Sequence, residues 1–113
     1  MSRLLRRTAA VLLSLATLGC DDPRLGDGDA TRLEAQGGEI RTSLEAYFAQ
    51  HARYPATLRE AGLDSAAAGT EFGPWEYGAD SLGARYRLRV GDRGKHGFAL
   101  VWDAERQAWS WDR

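Results

Sequence analysis

Five cations, Arg85, Arg87, Arg89, Arg93 and Lys95, fall within eleven residues, and the first three alternate with Tyr86, Leu88 and Val90. Such alternation puts the arginines on one face of a strand and the apolar residues on the other. A row of guanidinium groups can take an anionic partner such as DNA, a lipid headgroup or an acidic protein surface. The same row also serves as a solvated face that discourages edge pairing, and both readings stand. The remaining reactive side chains are sparse. Cys20 is the only cysteine, so no disulfide can form within the chain. His51 and His96 are the only histidines, far apart in sequence and without cysteine partners; they read as the flank of a helix stripe and as part of a polar hairpin turn. Ser43, Ser65, Ser81 and Ser110 have no Gly-x-Ser-x-Gly setting. The chain therefore reads as non-enzymatic, with no metal site and no small-molecule substrate.

Cys20 closes a patterned N-terminus. Arg3, Arg6 and Arg7 precede an uncharged stretch from Thr8 to Leu18, and Leu18-Gly19-Cys20 follows. At about 1.5 Å per residue, that apolar stretch spans roughly 17 Å, against the roughly 30 Å core that a spanning helix must cross. Residues 1–19 thus read as a cleaved signal peptide. The site resembles the lipobox of bacterial lipoprotein precursors. That resemblance implies a diacylglycerol on the Cys20 thiol, cleavage before Cys20 and an acyl group on the new amine, with no other cofactor. Thr17 and Leu18 depart from the commonest lipobox pattern, and an ordinary cleaved signal or a retained anchor are the alternatives. Arg6-Arg7 also fits twin-arginine export, although such pairs are routine in signal peptides. Asp21 and Asp22 resemble an inner-membrane retention signal, so the expected location is the periplasmic side of the inner membrane in preference to the outer membrane.

Residues 1–19 hold three arginines and no acidic residue, so removing them takes the formal net charge from −1 to −4. An acidic chain is no generic polyanion binder, and nucleic acid is not an expected partner. One domain of modest core follows, stabilised by packing of four Trp, four Tyr and three Phe. The tryptophans read as core before binding platform.

Residues 20–30 read as a flexible acidic tether, with four Asp, two Gly and a Pro around one large apolar residue, Leu25. Its Asp27-Gly28-Asp29 lacks the later ligands of a calcium loop. From Thr31 to Arg113 the chain reads as one α+β domain. Thr31-Arg-Leu-Glu34 fits a capping box. Beyond it Leu33, Gly37, Ile40, Leu44, Tyr47, Phe48 and His51 recur at steps of three and four, predicting an amphipathic helix that Tyr54-Pro55 ends. Ala56 to Ala61 can form one further turn before Gly62. The period then falls to 2: Trp75 and Tyr77, Tyr86 to Val90, Phe98 to Trp102, and Trp109 and Trp111 predict a three- to four-stranded antiparallel meander. A helix with one apolar stripe and a sheet with one apolar face are expected to cover each other, burying Leu44, Phe48, Tyr86, Leu88, Leu100 and Trp109.

Ile40 to Leu63, with its aliphatic and aromatic stripe running into Tyr54-Pro55 and a short Leu-containing turn, resembles the end of the helix in type IV pilins and type II secretion pseudopilins. The Trp75 to Tyr77, Tyr86 to Leu88 and Trp109 to Trp111 segments are similar to that family's meander. The resemblance covers about residues 31–113 and implies an accessory or interaction protein of an envelope secretion or pilus system. Pilins carry a long hydrophobic helix behind a prepilin-peptidase site, whereas this chain has a lipobox and an acidic tether, so filament formation is not implied. The family's C-terminal disulfide and calcium ligands have no counterparts here. The alternative is a stand-alone periplasmic module that binds an anionic ligand through the Arg85, Arg87 and Arg89 face.

Overall fold

The structure, a computed structural model, describes residues 24–113. The expected signal peptide, Cys20 and its lipids, and Asp21-Asp22 lie outside the described residues. The architecture is α+β: one long helix, then a four-stranded antiparallel sheet in sequence order.

Helix α1 spans Asp29–His51. It starts two residues before Thr31, and the capping box does not form. Gly28 occupies the N-cap in the left-handed region (φ 81°), with no side-chain cap. The carboxylate expected to close the box is engaged elsewhere, because Glu34 Oε2 accepts a hydrogen bond from Trp111 Nε1 at 2.8 Å. Asp29 organises the entry instead, accepting from the Gly26 amide at 2.6 Å and pairing with Arg32 at 2.5 Å. These bonds hold the Asp29 carboxyl below its ordinary range, the Arg32 bond contributing most. Upstream of the helix, Leu25 is partly buried against the core.

The helix stripe is buried at Leu33, Gly37, Ile40 and Leu44, and its burial stops there. Phe48, expected in the core, is 37 % exposed, with its ring 4.7 Å from that of Tyr54. After Ala52 the chain makes a single 3-10 turn, Leu58–Ala61, begun by the Thr57 hydroxyl and ended at Gly62 (φ 82°), where the sequence places a stop. A short helix α2, Ser65–Ala68, follows, with Asp64 as its cap.

Strands β1 (Glu76–Ala79), β2 (Tyr86–Val90), β3 (Ala99–Asp103) and β4 (Ala108–Asp112) pair as a meander. Leu100 stands opposite Val90 and Trp111, and Trp102 opposite Trp109, so these residues share one face. The core gathers Leu33, Ile40 and Leu44 with Leu88, Val90, Phe98 and Leu100. Polar side chains join the same elements. Arg41 Nε donates to Tyr86 Oη at 2.9 Å while its guanidinium lies 3.4 Å from the Trp102 ring centroid. Trp75 Nε1 donates to Gln36 Oε1 at 2.9 Å, and Gln36 Nε2 donates on to the Ala67 and Gly69 carbonyls.

The β2–β3 connection differs from expectation. It contains a short helix α3, Arg93–His96, capped by Asp92, and it turns back at Gly97 (φ 82°). His96 is buried at its end, 5.6 Å from the Phe72 ring, and does not sit in a polar hairpin turn. The imidazole packs edge-on against the Phe72 ring, which in turn meets Phe98, a contact across the fold that local polarity does not reveal.

Candidate docking surface

Strand alternation sends Tyr86, Leu88 and Val90 inward and leaves Arg87 and Arg89 exposed, with Arg85 exposed just before the strand. The outer face is then built across the strands. Glu76 of β1 stands opposite Arg89, Arg89 opposite Val101, and Val101 opposite Ser110. Around the arginines lie Gly78, Val101 and Ser110, all small or aliphatic and half-buried.

The arginines are not equivalent. Arg89 Nη2 lies 2.7 Å from Glu76 Oε1, its cross-strand neighbour. Among the described residues, no carboxylate stands within 4 Å of Arg85 or Arg87. Gly78 faces Arg87 across the pair, and a Cβ there would come 3.3 Å from Arg87 Nη2, so the guanidinium lies over the space that glycine leaves. Two shallow depressions flank Arg87. One, of about 430 Å³, includes Glu76, Gly78, Arg89 and Val101 in its wall; the other, of about 460 Å³, includes Arg85, Val101 and Ser110.

Arg93 and Lys95 stand apart from this face. Both belong to α3, at the opposite end of β2 from Arg85, and Arg93 lies 3.6 Å from Asp112. The five cations that are close in sequence therefore form two groups: three on the sheet face and two on a connection. His51 and His96 are similarly divided. His51 ends α1, with its ring 4.1 Å from that of Tyr47, while His96 ends α3.

Chemically, the sheet face offers charge and shape but no nucleophile paired with a base. Arg85 and Arg87 are two residues apart on an extended chain, roughly 7 Å between Cα atoms, and each can present a fork of N–H donors to a carboxylate or phosphate. Val101 has no signal of its own in the sequence, and Ser110 stands out there only as a hydroxyl without a nucleophile setting. Their outward positions follow from the same alternation once Leu100 and Trp111 are placed inside. The Glu76 partner of Arg89 had no local signal, because only the register of β1 on β2 brings the two together.

Among the described residues, no helix is long and apolar enough to cross a membrane, and no group of three or more His, Cys, Asp or Glu could hold a metal ion. No family model, curated protein or solved structure matches the chain.

Proposed function

We propose that the chain is a lipid-anchored periplasmic protein with a pilin-like domain, acting without catalysis as an accessory that docks a component of an envelope secretion or pilus system. The observation that carries this reading is a Leu18-Gly19-Cys20 site ahead of one long helix and a four-stranded meander. Within it, α1 lies along the apolar face of the sheet. Support for that packing comes from the Arg41–Tyr86 and Glu34–Trp111 hydrogen bonds and from the core shared by Leu33, Ile40 and Leu44 with Leu88 and Leu100. The docking surface is the outer sheet face, where Arg85 and Arg87 meet an acidic protein. Several acyl chains at Cys20, at about 0.8 kcal/mol per buried methylene, suffice to hold such a domain at the inner membrane without a spanning helix.

Cross-linking in native membranes tests the docking. Wild type should capture a secretion or pilus component, and Arg85→Glu/Arg87→Glu should lose it while keeping its circular dichroism and thermal transition. Capture of no such component by wild type overturns the reading. A second reading is favoured by the same two arginines, which have no carboxylate within 4 Å among the described residues: a stand-alone module for an anionic ligand. Salt-sensitive binding of DNA or acidic lipid that disappears in the double variant would select it. The anchor has its own test, since Cys20→Ala should abolish lipid labelling and release the protein from membranes.

A further inference from the structure

The domain has two dissimilar ends. At one, α1 terminates near the β1–β2 hairpin, where the Tyr54 amide donates to the Gly83 carbonyl at 2.8 Å. Leu82 at the tip of that hairpin is 83 % exposed. The other end holds the start of α1, the α3 connection and the C-terminus, because Asp112 pairs with Ala99 at the beginning of β3. The 23 residues of α1 separate the two ends by roughly 35 Å.

The chain leading to the anchor is fixed to the second end. Leu25 packs against the core, and Arg24 Nη1 lies 3.2 Å from where a Cβ on Gly97 would stand. The docked chain therefore begins at Arg24, well before the helix. Only four peptide steps separate Cys20 from Arg24, and fully extended they reach at most about 14 Å. A lipid on Cys20 cannot leave this end far from the bilayer.

The same end carries cations placed to meet a phosphate layer. Lys95 is exposed on α3, Arg24 sits beside Gly97, and Arg113 follows β4 with its guanidinium 5.1 Å from the Trp111 ring. Among the described residues, none of the three has a carboxylate within 4 Å. The acids nearby are partly engaged: Asp29 pairs with Arg32, Asp92 accepts from the Gly94 and Lys95 amides, and Asp112 faces Arg93, while Asp27 is exposed.

We infer that the α3 end of the domain, through Arg24, Lys95 and Arg113, rests on the phospholipid headgroups of the membrane that holds Cys20. Phosphate oxygens are the groups these cations take, and the Leu82 hairpin points away from the bilayer. The outer sheet face then stands beside the membrane and open to a partner. This inference rests on lipidation of Cys20, the anchor within the function proposed above.

The test uses the full chain, processed and lipidated in cells, and reconstituted in vesicles of phosphatidylethanolamine and phosphatidylglycerol. An environment-sensitive fluorophore is placed at Gly94→Cys or at Leu82→Cys, with a quencher carried on the lipid headgroups. Strong quenching at position 94 and little at position 82 is expected. Replacing Arg24, Lys95 and Arg113 by Gln should weaken quenching at 94, with headgroup affinity falling about fivefold for each cation removed. Protein that floats with the vesicles but is quenched equally at both positions, or more at 82, overturns the orientation alone. Unchanged quenching in the triple Gln variant overturns the role of the cations. Protein that does not float refutes the anchor, and the inference falls with it.

Discussion

Gly37 of α1 lies directly beneath the indole of Trp109: a Cβ at Gly37 would stand 2.6 Å from Trp109 Cζ2, and 2.8 Å from the Trp75 ring. The two indoles are themselves 5.6 Å apart, so the ring pair closes on the helix backbone where a side chain is missing. Glycine costs about 1 kcal/mol against alanine in a helix interior, and this contact is what offsets it.

Gly37→Ala should therefore destabilise the domain despite its better helix propensity. Forcing a methyl group into a filled contact costs about 1 to 3 kcal/mol against the gain of about 1 from propensity. Gly38→Ala is the internal control, because nothing lies within 4 Å of a Cβ there. It should stabilise by up to about 1 kcal/mol. Urea unfolding of both variants measures the difference, and equal effects would mean that the indoles do not bear on the helix.

The core should divide α1 in two. Leu44 is fully buried, and Leu44→Ala should cost about 2 to 5 kcal/mol. Phe48, one turn on, is exposed over a third of its surface and meets Tyr54 with the two rings tilted by 40°. Phe48→Ala should cost only about 1 kcal/mol, the scale of one aromatic pair. Chemical denaturation of the two variants reads both values, and a Phe48 loss equal to that of Leu44 would place its ring in the core.

These contrasts show which parts of the fold the sequence carries. Period 3.6 up to Leu44, and period 2 from Trp75 onward, are local properties, so one helix and four antiparallel strands in chain order were legible, as was the stop at Gly62. The outward arginines of the candidate surface follow from the same alternation. The misses are long-range. Glu34 fits a capping box until Trp111, 77 residues away, supplies its hydrogen bond. His96 looks polar and turn-borne until Phe72, from the segment before β1, packs against it, and Arg89 looks free until the register brings Glu76 beside it. Leu25 sits in a sequence of tether composition and still reaches the core, which moves the point of attachment nearer Cys20.

Arg41 joins α1 to two strands through one side chain. Its guanidinium stacks on Trp102 and its Nε donates to Tyr86 Oη. Removing it loses a cation–π contact and leaves a half-buried hydroxyl short of a donor, so Arg41→Ala should cost about 1 to 3 kcal/mol. Arg41→Lys should recover part of the stability but not the planar stacking. Arg41 also opposes the upward push that burial gives the Tyr86 hydroxyl, so its removal should make Tyr86 ionise later still. A phenolate absorbance titration of wild type and Arg41→Ala reads that shift, and no change would separate Arg41 from Tyr86.

Alkaline pH should unfold the protein through its tyrosines. Burial pushes the Tyr54 and Tyr77 hydroxyls up to about 12, and burial raises Tyr86 as well. Tyr77 Oη is also held by the Pro55 carbonyl at 2.6 Å. In the unfolded chain these groups ionise near the ordinary tyrosine value of 10.0. Above that pH the unfolded state gives up protons that the folded state keeps, so the folded state becomes relatively less stable as pH rises. The stabilisation is fully present below pH 10 and is lost as pH climbs towards about 12. Denaturation midpoints at a series of alkaline pH values should fall across this window. Tyr77→Phe should lower stability near neutral pH, where the Pro55 bond is lost, yet flatten the alkaline decline because one late-ionising group is gone. A decline as steep in Tyr77→Phe as in wild type would show that Tyr77 does not take part.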